Sequence, residues 1–139
     1  MTYYKKEIAH LARKYRIQLI YAFGSRAKGV FYKVEGKPYT EVEDLQKSDV
    51  DIGIKPQFSL NVQQKVAISI FFEDLLDVSR VDVVSLIDAP VFVALEIVEG
   101  ELLYAVNDTF EAEYQLYIMR LADELLPYER QKQALIMGK

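Results

Sequence analysis

The sequence predicts an α/β (α+β) domain with a mixed sheet of about four strands flanked by helices and a long C-terminal helix. Three observations predict it. Short apolar runs bounded by turn residues alternate with longer segments of helical periodicity. A chain of 139 residues that is 51% hydrophobic builds one core and has little room for a second domain. Apolar side chains recur at helical spacing through the region after Asn107. Residues 1–139 therefore read as one domain, with a core at about 17–106, an insert at about 30–47 and a C-terminal helical region at 108–139.

Ile8, Leu11, Ala12 and Tyr15 follow Thr2 at helical spacing, which predicts an amphipathic helix over 3–15. Ile17 to Phe23 is a short apolar run ending at Gly24-Ser25, a strand running into a turn, and Arg26 to Lys28 suits a brief helical turn. Val30 to Val34 and Tyr39 to Val42 alternate polar and apolar residues around Glu35-Gly36-Lys37-Pro38, the pattern of a hairpin or ordered loop. Asp49 to Ile54 forms the second strand, closed by Lys55-Pro56. Ser59 caps a helix from about Leu60 to Val78 whose buried face is Ile68, Phe71, Phe72, Leu75 and Leu76.

A third strand is expected from Arg80 to Leu86. A helix opening at Asp88 and Pro90 ends at Gly100, and Glu101 to Val106 makes the fourth strand. Asp108, with Glu111 as a capping box, starts a helix that Pro127 should break or kink. Its apolar stripe is Phe110, Tyr114, Tyr117, Leu121 and Leu125. Leu116, Ile118, Met119 and Leu126 lie outside that stripe, more apolar surface than one small domain easily covers. A short apolar tail follows at Ala134 to Met137.

Composition excludes several classes. With 12% aromatic and 27% charged residues the chain is neither disordered nor collagen-like. The absence of cysteine removes thiolate metal sites and thiol nucleophiles. The longest run without a polar residue, Ala89 to Leu95, is far short of the ~18 residues that suggest a membrane span. With no signal-like N-terminus, a soluble cytoplasmic protein is expected. The net charge of -4 argues against broad nucleic-acid binding, but it hides a division: residues 1–40 hold nine Lys/Arg and two acids, and the remainder holds eight and nineteen.

The chemistry lies in Gly24-Ser25 after the first strand, Asp49-Val50-Asp51 on the second and Asp82 on the third. Side chains at i and i+2 of a strand share a face about 7 Å apart, so Asp49 and Asp51 converge on one volume. Asp82 stands between Val81 and Val83 in an apolar strand, where a carboxylate costs desolvation energy unless a cation compensates it. Three such carboxylates suit two magnesium ions in phosphoryl transfer. Gly24 lets the backbone approach a phosphate, Ser25 offers a hydroxyl and an N–H, and Arg26 and Lys28 add positive charge. Each part alone has an ordinary reading: a turn, an exposed strand face, an ion-pair partner. His10 has no ligand-like company and reads as structural.

The segments GSRAKG at 24–29, SDVDIGI at 48–54 and RVDVVSL at 80–86 resemble the nucleotidyltransferase superfamily that includes DNA polymerase beta, and most closely its minimal nucleotidyltransferase (MNT) proteins. The resemblance implies a polymerase beta-like fold that binds ATP with two magnesium ions and transfers a nucleoside monophosphate to a hydroxyl. Carried over by motif, Gly24 and Ser25 would hold the triphosphate, with Arg26 and Lys28 as further phosphate contacts. Asp49, Asp51 and Asp82 would be catalytic and bind metal, Asp82 helping to deprotonate the acceptor. One departure is visible: twenty-three residues separate Ser25 from Asp49, where the family commonly has about ten, an insertion that loop-closure entropy tolerates.

MNT proteins are commonly paired with a HEPN-domain toxin. The resemblance therefore implies an antitoxin that transfers AMP to a tyrosine of its toxin and also binds it. The surplus apolar residues of the last helix fit a protein acceptor. A binding-only antitoxin and a nucleotidyltransferase acting on a small-molecule hydroxyl are the alternatives. A nucleic-acid polymerase fits least, since the chain is acidic and lacks DNA-binding motifs.

Overall fold

The computed structural model describes residues 1–38 and 49–136. The elements run α1 (Tyr3–Tyr15), β1 (Ile17–Phe23), α2 (Ala27–Glu35), β2 (Val50–Pro56), α3 (Val62–Leu76), β3 (Val81–Ser85), α4 (Val91–Val98), β4 (Glu101–Ala105) and α5 (Asp108–Ile136). The strands form one sheet in the order β3-β2-β1-β4. β2 and β3 are parallel, whereas β1 is antiparallel to both β2 and β4. This is the mixed four-stranded sheet with a long C-terminal helix that the sequence predicts.

Helices cover both faces, so the sheet lies between two apolar cores. On one face Ile20 and Ala22 of β1 and Val50, Ile52 and Ile54 of β2 pack against Ile8 and Leu11 of α1, Val30 and Val34 of α2, and Ile68, Phe72 and Leu76 of α3. On the other, Leu19, Tyr21 and Phe23 of β1 meet Ala94, Ile97 and Val98 of α4 and Ile118 of α5. The period-2 alternation of β1 thus feeds both cores, which is why its sequence from Leu19 to Phe23 is a continuous run of apolar and aromatic residues rather than alternating.

Local chemistry sets the element ends. The Thr2 hydroxyl accepts from the Lys5 N–H to cap α1, and Arg16 closes that helix in the left-handed region at φ 53°. Ser59 does not cap α3. Asn61 does, accepting from Gln64 N at 2.8 Å while the Gln64 side chain accepts from Asn61 N at 2.9 Å, a reciprocal box that Ser59 cannot close. Asn107, not Asp108, caps α5: its side-chain oxygen accepts from Phe110 N at 2.7 Å. Glu111 is thereby released to accept from the buried Tyr21 hydroxyl at 2.7 Å, tying α5 to the central strand.

Three further expectations are corrected. Residues 30–35 are helical rather than a hairpin strand: Val30 and Val34 are buried one helical turn apart, and Gly36 ends the helix at φ 72°. The expected second arm, Tyr39 to Val42, and the remainder of the insert to residue 47 lie outside the described residues, as do Ser48 and Met137. α5 does not stop at Pro127 but continues to Ile136. Pro127 and Asp123 are both exposed, so water can take the carbonyl that the proline leaves without its donor. Finally, the buried face of α5 is Ile118 and Ala122, with Tyr114 half-buried, whereas Tyr117 and Leu125 of the expected stripe are exposed. The face is chosen by where α4 and β1 present apolar surface, which the periodicity of α5 alone does not encode.

β3 is an edge strand, and α3 blunts it. The Ser69 hydroxyl donates to the Val81 carbonyl, and a Glu73 carboxylate oxygen accepts from the Val81 N–H. Among the described residues no helix is long and apolar enough to cross a membrane.

The clamp between α5 and the sheet is open to test by urea denaturation. Tyr21→Phe should cost about 1.5–3 kcal/mol by removing a hydrogen bond to a charged acceptor. Ile118→Ala should cost about 2–5 kcal/mol, and Leu116→Ala, on the exposed side of the same helix, less than about 0.5 kcal/mol.

Candidate active site

The site begins where β1 ends. Gly24 takes φ +77°, and a Cβ there would meet a carboxylate oxygen of Asp51 at 2.7 Å, so both the turn and its closeness to β2 require glycine. The Gly24 carbonyl accepts from Ala27 N at 3.3 Å, which bends the chain directly into α2. Ser25 and Lys28 are exposed on the rim of this turn, beside the positive N-terminal end of α2.

The carboxylates come from the neighbouring strands. Asp49 immediately precedes β2 and Asp51 lies within it. Val50, Ile52 and Ile54 point into the core with α1, α2 and α3, so Asp51 takes the opposite face, toward α4. The parallel register sets Asp51 opposite Asp82, whose neighbours Val81 and Val83 also face the first core. Phe23 pairs with Asp51 on the other side of β2, bringing the glycine-serine turn alongside. Partial burial raises the Asp51 carboxyl above the usual carboxylate range, and the charges of Asp82, Asp49 and Glu96 push it further. The four acids thus share one electrostatic neighbourhood.

Glu96 is the member that the sequence reading missed. It arrives with α4, which packs closely on β2 because Gly53 has no side chain: a Cβ at Gly53 would collide with Ile97. Gly100 plays the same part where the chain leaves α4, since a Cβ there would collide with the Ala22 carbonyl oxygen. A signal was present, because Glu96 is the lone charged residue in the apolar helix VFVALEIV. An isolated acid in such a helix demands a reason.

A cleft of about 740 Å³ opens between the turn and the end of α4, lined by Gly24, Ser25 and Lys28 on one wall and by Glu96, Glu99 and Glu101 on the other. Asp51 flanks it through its contact with Gly24. Arg26 is half-buried and is not part of the lining. Asp82 is drawn outward, with Arg80 Nε donating to its carboxylate at 3.1 Å, and it lines a small groove beside Val62, Lys65 and Val66 of α3. Among the described residues no three acidic or histidine side chains form a closed ligand set. The hard oxygen donors of Asp49 and Asp51, and the repulsion that raises the Asp51 carboxyl, nevertheless fit a divalent cation.

Residues 6–109 match the family described as polymerase beta, nucleotidyltransferase. The chain belongs to that family. The matched region contains the turn, the three aspartates, α4 and β4. No curated protein sequence matches the chain. Among solved structures it resembles a toxin-antitoxin crystallised with AMP-PNP, at 22% identity over 96% of both chains and a TM-score of 0.68. It also resembles the MntA-HepT toxin-antitoxin, at 20% identity over 97% of this chain and 95% of that one, TM-score 0.65. A third likeness is to a complex of MNT antitoxin with the tri-AMPylated HEPN toxin of Shewanella oneidensis, at 21% identity over 97% and 94%, TM-score 0.65. At these identities the likeness establishes the fold, and it extends through α5.

Two consequences can be measured on this nucleotidyltransferase domain alone. Because the folded-state pKa of Asp51 is raised, its protonated form stabilises the fold, and this contribution is lost as pH rises through that pKa. In EDTA, Asp51→Asn should therefore have a higher Tm than wild type at neutral pH, and the gap should close as pH falls below the usual carboxylate range. Gly53→Ala should cost about 1–3 kcal/mol in chemical denaturation by forcing Ile97, and α4 with it, away from β2.

Proposed function

We propose that this protein is an antitoxin that transfers AMP from ATP to a tyrosine hydroxyl of a HEPN toxin, in a magnesium-dependent reaction, and also binds that toxin. The observation that carries the reading is the register that sets Asp51 opposite Asp82, with Asp49 immediately before the same strand and the glycine-serine turn against Asp51, in a nucleotidyltransferase domain. Its full-length likeness to MNT chains in toxin-antitoxin structures, one with AMP-PNP and one with an AMPylated toxin, supports the choice of substrates.

In this reading the N–H groups of the turn and the Ser25 hydroxyl bind the triphosphate, with Lys28 supplying positive charge from the rim. Arg26, carried over from the family motif as a further phosphate contact, would have to reach the nucleotide from outside the cleft lining. Asp49, Asp51 and Asp82 would hold magnesium, which neutralises the triphosphate and stabilises charge on the attacking and leaving oxygens. The tyrosine oxygen forms a bond to the α-phosphorus, the bond from that phosphorus to the bridging oxygen breaks, and pyrophosphate leaves. Asp82 takes the hydroxyl proton, for which it exchanges its contact with Arg80 for the acceptor. Nothing covalent passes through the protein, so positioning and electrostatics supply the rate.

The exposed apolar side chains of α5, among them Leu116, Tyr117, Met119 and Tyr128, suit the binding component. They also favour the second reading, an antitoxin that acts by contact alone.

Incubation with α-labelled ATP, magnesium and a HEPN toxin separates the two. Wild type should label the toxin, and the double variant Asp49→Asn, Asp51→Asn should do so at least about 100-fold more slowly. Neutralisation of the toxin by both forms without label on either would sink the transfer reading in favour of binding.

A further inference from the structure

The nucleotide cleft has two walls of opposite character. One carries Ser25, Lys28 and the start of α2, and the other carries Glu96, Glu99 and Glu101. A triphosphate belongs on the first wall and is repelled by the second. What the acidic wall can hold without a cation is a neutral donor, because an ionised carboxylate only accepts hydrogen bonds. Among the described residues the lining also contains no aromatic side chain and little apolar surface beyond Ala27, so they offer no platform on which a base could stack. Of the uncharged parts of a nucleoside triphosphate, the sugar suits such a wall best: it adjoins the α-phosphate and presents hydroxyl donors rather than a flat apolar face.

Glu96 is the acid best placed for this. It is exposed to the cleft, stands on the helix held against β2 by the Gly53–Ile97 contact, and is supported by buried neighbours on both sides, Ile97 directly after it and Ala94 two residues before. Its backbone is therefore fixed relative to Ser25 while its carboxylate remains free to accept. We infer that Glu96 is a specificity-determining residue that accepts a hydrogen bond from a ribose hydroxyl, so that the site selects ribonucleotides over deoxyribonucleotides. The inference rests on the nucleotidyltransferase reading of the cleft and adds to it which part of the nucleotide the acidic wall reads.

The test is calorimetric titration of the intact protein, in magnesium, with ATP, 2′-deoxyATP and 3′-deoxyATP. Wild type should bind ATP about tenfold more tightly than at least one deoxy analogue. Glu96→Ala should lose that discrimination through weaker ATP binding, with affinity for the discriminated analogue unchanged. Glu96→Gln, whose amide oxygen still accepts, should keep part of it. Circular dichroism checks that both variants are folded. Equal affinities in wild type, discrimination that survives in Glu96→Ala, or equal tightening of all three nucleotides in that variant would each overturn the sugar assignment and leave the nucleotide site standing. Equal tightening would mean that Glu96 only repels phosphate. A change in magnesium affinity without a change in discrimination would instead make Glu96 a metal-site residue. Failure of wild type to bind any of the three would remove the nucleotide reading itself.

Discussion

Parallel pairing of β2 with β3 sets Asp51 opposite Asp82, and the rest of the domain supplies the free energy that keeps these like charges together. Asp49 and Glu96 add to the repulsion, and partial burial makes the ionised state of Asp51 costlier still. Such a cluster persists because the same strand segments are apolar on their other face. Val50, Ile52 and Ile54 are fully buried beneath α1, α2 and α3, and each fully buried aliphatic side chain contributes about 1.5–3 kcal/mol. One residue of register slip would turn the carboxylates into that core, so the packing that offsets the repulsion also fixes which way the acids face.

The second face of the sheet is built for approach rather than for bulk. Glycine at 53 and 100 lets α4 lie close to β2 and the end of β1, which carries Glu96 to the carboxylates and forms the cleft against the glycine-serine turn. α5 then closes this face through Ile118 and the bond between Tyr21 and Glu111, neither of which lines the cleft. Function and stability are thus divided along the sheet: its β1 C-terminal end holds the electrostatic strain, and its centre holds the contacts that compensate for it. The outer side of α5 is left exposed and carries Leu116, Tyr117 and Met119, apolar surface that the packing of the domain does not use.

Much of this was legible in the residues. The strand alternation, the Asp-x-Asp spacing and the glycine-serine turn are local patterns, and β1 falls on the same residues, Ile17 to Phe23, in the sequence and in the structure. Two kinds of feature were not legible. Val30 and Val34 fit a polar-apolar alternation as well as a helical one, and only their burial against the first core decides for the helix. Likewise α5 carries apolar residues around much of its circumference, so no periodicity could select Ile118 over Tyr117 as the inward side chain.

The sequence by itself determined the class of fold, the order of its four strands and where the three aspartates and the glycine-serine turn fall along them, because these depend on spacing and on conformational preference within a few residues. Only the tertiary structure decided how far those groups converge. Asp82 faces Asp51 yet pairs with Arg80, Arg26 stands outside the cleft lining that Ser25 and Lys28 share, and Glu96, far from any motif, enters the site. The physical reason is that convergence is set by backbone approach. The missing side chains of Gly53 and Gly100 permit a closeness of α4 and its C-terminal end to the sheet that no local pattern records.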